Sequence, residues 1–330
     1  MFTDSFILRL VLVVLASAGS VTYAQQKSQL PGDYPNKPIR LIVGTAGSGA
    51  DIVGRIVAQG ISDPLGQPVI VENRGNATLG TVIAAQAPPD GYTLRLGGSS
   101  NWVFSLLEKA SNQRQTYDMV RDFSPVTLLV KDVGVLVVNP SVPVKSVKEL
   151  IALAKAKPGA LNYATFATGA SGHLGTELFK SMAGVNLVWV PYNGSGAATA
   201  ALFAGEVQVL ISTLALAAPH MKSGKIRALA VTSATPSVLA PGLPTVASDL
   251  PGFEMVGIFG IWAPAKTPRA IINRLNLEMV RALNQPEVKG RFLNAGQEVV
   301  GSSPEQFDSF IKSDIAIAAK VIKDAGIKVN

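Results

Sequence analysis

Residues 39–55 read Ile-Arg-Leu-Ile-Val-Gly-Thr-Ala-Gly-Ser-Gly-Ala-Asp-Ile-Val-Gly-Arg. Ile39 to Val43 is a short apolar run rich in β-branched residues, the composition of a strand. Gly44, Gly47 and Gly49 follow, and then Ile52, Ile56 and Ile61, with Val53 and Val57, recur at helical spacing. The stretch predicts strand, glycine loop, helix. Such a loop lets backbone N–H groups approach a ligand, and the free N–H groups of a helix start favour an anion. Asp51 stands where it can cap the helix or hold an ordered water. No Lys-Ser/Thr follows the glycines, so the loop is not a phosphate-binding P-loop. A dinucleotide fingerprint fails as well: Gly47 and Gly49 give Gly-x-Gly and Glu72 follows a second strand, but the third glycine position holds Ile52.

The same pattern returns at Val71–Thr81, Phe166–His173 and Val190–Ala197. With Tyr92–Leu96 as a third strand, the first hundred residues read β-α-β-α-β with short connections, which argues a parallel, helix-covered sheet. Thr127–Val138 is a nearly unbroken apolar run, one long strand or two. Val144–Lys157 predicts a helix capped by Ser146, and Pro268–Asn284, Pro286–Ala295 and Pro304–Ala325 predict three closing helices. Two sets of two loops imply two similar α/β lobes that point helix N-termini at one cleft, with chain crossings near Leu128 and Val231. That is the plan of a hinged ligand-binding protein.

The chain of 330 residues is 48% hydrophobic and 15% charged, enough for a substantial core, and its formal charge is +7. Lys and Arg are scattered, without basic runs or interleaved aromatics, which excludes a nucleic-acid surface and suits a small anion. Residues 1–24 have the form of a secretory signal: Arg9 precedes the apolar run Leu10–Ala18, and Thr22-Tyr23-Ala24 carries small residues at the cleavage-determining positions. The mature chain is expected to begin at Gln25, in the periplasm. No Cys is present, so no disulfide forms.

Many segments, in order, resemble the tripartite tricarboxylate transporter (TTT) substrate-receptor family, also called the Bug family. Among them are Tyr34-Pro-Asn-Lys-Pro-Ile-Arg-Leu-Ile-Val43, Gly66-Gln-Pro-Val-Ile-Val-Glu-Asn-Arg74, Pro89-Asp-Gly-Tyr-Thr-Leu94, Arg121-Asp-Phe-Ser-Pro-Val126, Gly172-His-Leu174, Val190-Pro-Tyr-Asn-Gly-Ser195 and Gly224-Lys-Ile-Arg-Ala-Leu-Ala230. The resemblance implies a type II periplasmic binding-protein fold. Lobe I is expected from residues 30–128 and 232–330, and lobe II from 129–231. It also implies a monomeric extracytoplasmic receptor that captures a small carboxylated organic anion and delivers it to the membrane subunits of a TTT carrier. In the family the first loop and its Asp grip a ligand carboxylate, which maps here to Ala46, Gly47, Ser48, Gly49 and Asp51. Ala77 and Thr78 lie in the second family loop, Thr168, Gly169, Ala170 and Ser171 in the third, and Tyr192, Gly194 and Ser195 in the fourth. Gly44–Asp51 and Gly75–Gly80 are shorter than the usual family loops, and Gln208 and Ser212 stand where the family often has Asp.

Other candidates carry less. His173 is expected to pack or cap, and His220 to lie at the surface or hinge. Two distant histidines without Cys or an acidic cluster give no metal site, and no cofactor is expected. Ser171 and Ser195 have no nucleophile motif and no paired base, so the chain is not read as an enzyme. Trp102 and Phe104 fit the cleft or the core equally, and Trp262 fits the core. Two alternatives stand beside transport: a receptor for solute sensing, and an α/β enzyme acting on a carboxylated substrate.

Overall fold

The structure, a computed structural model, describes residues 34–75, 77–165, 169–192 and 194–328. The expected leader and Thr168 lie outside them.

β1 (Ile39–Val43), α1 (Gly49–Leu65), β2 (Val69–Asn73), α2 (Ala77–Ala85) and β3 (Thr93–Gly97) form the predicted opening units. β2 and β3 lie parallel to β1 on either side of it. α3 (Ser100–Ala110) follows at once. Gly98-Ser99-Ser100-Asn101 reads as a loop in sequence, and so it conceals that helix start. β4 (Phe123–Asp132) and β5 (Gly134–Val138) resolve the long apolar run into two strands.

The chain then runs through α4 (Val147–Ala156), β6 (Asn162–Thr165), α5 (Ser171–Ala183), β7 (Val188–Pro191), α6 (Ser195–Ala204), β8 (Val209–Thr213), α7 (Leu214–Lys222) and β9 (Arg227–Val231). It closes with β10 (Gly257–Pro264), α8 (Arg269–Leu283), α9 (Pro286–Asn294), β11 (Gln297–Val299) and α10 (Pro304–Asp324). Ser146 caps α4 as its sequence predicts, accepting a bond from Glu149 N–H. α7 and β11 are the other elements that the sequence pattern does not reveal. One starts directly from β8 without a turn signal, and the other is only a short edge strand.

Two sheets result. A six-stranded one runs β11-β4-β10-β3-β1-β2, and a five-stranded one runs β7-β6-β8-β5-β9. The molecule therefore has two α/β lobes. The chain leaves the first sheet only after Lys131 and Asp132, which pair with Ile258 and Gly257 of β10, so the first crossing falls at Val133. The return crossing starts beyond Val231 and rejoins the first sheet at Gly257.

The crossings touch: Thr232 N–H donates to Gly134 O at 2.9 Å, and a Cβ on Gly134 would lie 2.4 Å from Thr232 Oγ1. Only a residue without a side chain lets the two strands of the hinge approach this closely. α10 packs on α3 and β4 in the first lobe and on α5 in the second. One buried cluster accordingly joins Trp102, Trp262 and Phe307 to Tyr163, Leu174 and Phe179. Trp102 and Trp262 are both buried. Among the described residues no helix is long and apolar enough to cross a membrane.

Candidate functional site

In parallel β-α units the loops after the strands gather at the carboxyl edge of the sheet, where ligands of open α/β folds are held. The starts of α1, α2 and α3 share that edge of the first sheet. Those of α5 and α6 share it in the second, because β6 and β7 are parallel.

The first loop is internally braced. Ser48, and not Asp51, is the N-cap of α1, its Oγ accepting from Asp51 N–H at 3.4 Å. Asp51 is buried and its carboxylate is already engaged. It accepts from Gly47 N–H at 2.9 Å and from Asn73 Nδ2 at 2.9 Å, and it pairs with Arg55 at 3.0 Å. Burial alone would raise its pKa, but the bonds from Gly47, Asn73 and Arg55 outweigh that and hold the carboxyl below its ordinary value. Asp51 therefore shapes the turn and leaves the Gly49 and Ala50 N–H groups as donors at the helix start.

The second loop is fastened to the first. Asn73 Nδ2 also donates to Gly44 O at 3.2 Å, and Thr45 Oγ1 donates to Gly75 O at 3.1 Å. α2 begins at Ala77, and Thr78 lies within its first turn. Behind it, Thr81 Oγ1 accepts from Asn101 Nδ2 at 2.7 Å and from the buried Arg95 Nε at 3.1 Å. Asn101 Oδ1 in turn accepts from Gly98 N–H at 3.1 Å, so α2 and the start of α3 are set by one network.

The third loop reaches across to the first lobe. Gly169 is buried with φ +75°, and a Cβ there would lie 2.7 Å from Leu107 Cδ1 of α3. Gly169, Ala170 and Ser171 line a cavity of about 230 Å³ between the lobes. Gly98, Ser99 and Ser100 line it from the start of α3, Gly257 to Phe259 from β10, and Asp314 and Ala318 from α10. Neither Ser99, the N-cap of α3, nor Ala170, the N-cap of α5, makes a side-chain cap bond, and the two helix starts open on one space, with the Asn101 N–H of α3 already given to Gly98 O. Phe259 joins the first loop to this cavity, its ring lying 3.2 Å from where a Cβ on Gly49 would be.

Two carboxyls also line the cavity. Burial raises the pKa of Asp132, partly offset by Gln297. Burial likewise raises that of Asp314, whose Oδ2 accepts from Trp102 Nε1 at 2.7 Å.

The fourth loop lies beside the third without lining the cavity. Tyr192 N–H donates to Thr165 O at 2.8 Å, and Gly194, with φ +95°, is the N-cap of α6, which begins at Ser195. Thus Gly169, Ala170 and Ser171 line the cavity. Of the other expected residues, Ala46–Asp51, Ala77 and Thr78, and Tyr192, Gly194 and Ser195 do not line it.

Sequence reasoning missed Asn73, the Gly98–Ser100 segment, Phe259, Asp132 and Asp314. Only Asn73 left a signal, ending a strand ahead of a glycine loop. Trp102 proves to be core, and Phe104 is exposed and away from the cavity. His220 packs against Phe203, ring centroids 4.6 Å apart. Among the described residues no group of three or more His, Cys, Asp or Glu is placed to hold a metal ion.

The sequence pattern described as tripartite tricarboxylate transporter family receptor matches residues 53–327. BugT of Bordetella pertussis is 36% identical over 304 residues, covering 90% of this chain and 92% of its own. Among solved structures, Rpa4515 of R. palustris with adipate is 33% identical with a TM-score of 0.71, covering 89% of this chain and 99% of its own. MatC of Rhodopseudomonas palustris with bound malate is 28% identical with a TM-score of 0.68, covering 88% of this chain and 100% of its own.

Proposed function

The chain belongs to the tripartite tricarboxylate transporter receptor family, and from that premise we propose that it captures a small dicarboxylate between its lobes and delivers it to the membrane subunits of a TTT-type carrier. The observation that carries this reading is the pairing of the α3 and α5 starts, one from each lobe, on a single cavity. Backbone N–H groups at a helix start bind an anion without Arg or Lys, and two opposed starts suit a ligand with a carboxylate at each end. Adipate and malate, bound by two relatives, have that shape. Ala46 to Asp51, Ala77, Thr78, Tyr192, Gly194 and Ser195 flank the ligand in this reading, and Thr168 belongs with the third loop.

The two lobes close about the Gly134–Thr232 crossing, the first lobe keeping β4 through Asp132 rather than ending at residue 128. The protein works as a periplasmic monomer after removal of residues 1–24. It binds and releases without a chemical step.

Calorimetric titration with mono-, di- and tricarboxylates tests the proposal. Saturable binding of a dicarboxylate that returns unchanged is expected. Binding of none of them, or turnover of a bound acid, overturns it.

A further inference from the structure

His173 makes a contact that a packing residue does not need. Its Nδ1 accepts the Gly169 N–H at 3.1 Å across one turn of loop and helix. The imidazole is 1% exposed. It stacks on Trp189 of β7 at 4.5 Å and 19°, and Tyr163 of β6 lies 6.4 Å away. Trp189 is itself fixed, its Nε1 donating to Thr165 Oγ1 at 2.7 Å. The ring is therefore clamped between two strands with one nitrogen aimed at the third loop.

That bond needs a lone pair on Nδ1. A proton there turns the acceptor into a donor facing another donor and leaves the buried Gly169 N–H without a partner. Gly169 is the residue through which the third loop touches Leu107 of the first lobe, so the loop would lose its anchor at the point where the lobes meet.

We propose that His173 is the positioning residue of the ligand loop: unprotonated Nδ1 holds Gly169–Ser171 against the cavity, and protonation releases it. This rests on the reading of Gly169–Ser171 as ligand contacts. The groups facing the ring are Glu177 and Lys180 from α5, joined at 2.7 Å, and Tyr163, whose hydroxyl donates to Glu177. Burial lowers the pKa of His173, Glu177 raises it and Lys180 lowers it, with a net downward direction. The neutral ring is thus the resting form at neutral pH, and release belongs to the acid side of the ordinary histidine range. Asp132 and Asp314 titrate across the cavity, so the wild-type pH profile must be compared with a variant altered only at His173.

The experiment uses the full mature chain as wild type, His173→Asn and His173→Ala. Asn offers an acceptor oxygen close to the place of Nδ1 but does not titrate. Hydrogen exchange at the Gly169 amide, without ligand, is measured from pH 4.5 to 7.5 and corrected for the intrinsic rate. In the wild type, protection should fall on acidification by roughly tenfold, the worth of one hydrogen bond. It should stay level in His173→Asn and be low throughout in His173→Ala. With adipate as probe, affinity should weaken on acidification more in the wild type than in His173→Asn. Equal protection in wild type and His173→Ala, or the same pH dependence in His173→Asn as in wild type, overturns the proposal. If adipate fails to bind while the amide pattern is as expected, the dicarboxylate reading fails and the role of His173 in holding the loop stands.

Discussion

Asn73 Nδ2 donates to Asp51 Oδ1 at 2.9 Å, and the same amide nitrogen donates to Gly44 O at 3.2 Å. The end of β2 is thereby stitched to both sides of the first loop. A carboxylate beside an anion-receiving helix start would ordinarily repel the ligand. Here its charge is met by Gly47 N–H, by Asn73 and by Arg55, so it serves as a brace that fixes where the remaining N–H groups point.

Asp51→Ala should therefore destabilise the protein by about 1–3 kcal/mol, since it leaves the Gly47 N–H and the Asn73 amide without their acceptor. Dicarboxylate affinity should fall as a consequence of the loosened loop. The carboxyl pKa is lower in the folded protein than in the unfolded chain, so this stability is complete above the unfolded value near ~4 and is lost as pH falls through the folded one. Chemical denaturation of wild type and Asp51→Ala at pH 7 and pH 3 checks the sign. A difference that does not shrink in acid would count against a charged brace.

Asp314 shows the opposite sign. Its folded pKa is raised by burial, so its stabilising contribution is present below the unfolded value and is lost as pH rises through the folded one. Asp314→Asn keeps an acceptor for Trp102 Nε1 and removes the charge. The variant should melt higher than wild type at pH 7, and the gain should vanish toward pH 4. Thermal unfolding across that range reads it directly, and a variant equally destabilised at both ends would refute the assignment.

Ile39–Val43 and the helix after it were legible because a short β-branched apolar run gives way to helical spacing across glycines, and the structure keeps β1 and α1 there. The α3 start was hidden because Gly98-Ser99-Ser100-Asn101 is loop-like in composition. What makes it a helix start is tertiary: Asn101 bonds to Thr81 and to Gly98 N–H. Asp132 and Asp314 illustrate the other limit. They are far apart in sequence and look like surface acids, and only the packing of α10 beside the first crossing brings both to one cavity. Side chains that act through distant partners leave no local period to read.

The hinge gives an asymmetric pair. Gly134→Ala would place a methyl 2.4 Å from Thr232 Oγ1 and should cost about 1–3 kcal/mol as the crossings are forced apart. Thr232 Oγ1 is buried without a hydrogen-bond partner. Thr232→Val keeps the shape and removes that hydroxyl, so stability should hold within about 0.5 kcal/mol or rise. Urea denaturation of both variants tests the pair, and a Thr232→Val protein as damaged as Gly134→Ala would show that the hydroxyl has an essential partner.

The contact between Gly169 and Leu107 allows a sharper test, because it joins the ligand loop of one lobe to a helix of the other. Gly169→Ala faces two costs. Its φ of +75° lies in the left-handed region, worth about 1–2 kcal/mol for a residue with a Cβ, and that Cβ would sit 2.7 Å from Leu107 Cδ1. Leu107→Ala alone opens a void in the core and should cost about 2–5 kcal/mol. Combined, the overlap with Leu107 disappears while the close contact with Val103 Cγ1 at 3.1 Å, the backbone strain and the void remain. The double variant should then be more stable than the sum of the single losses predicts, by about 1 kcal/mol. Denaturant unfolding of the four proteins gives this coupling. Strict additivity would mean that the third loop does not press on α3 in solution, and that the lobes meet elsewhere.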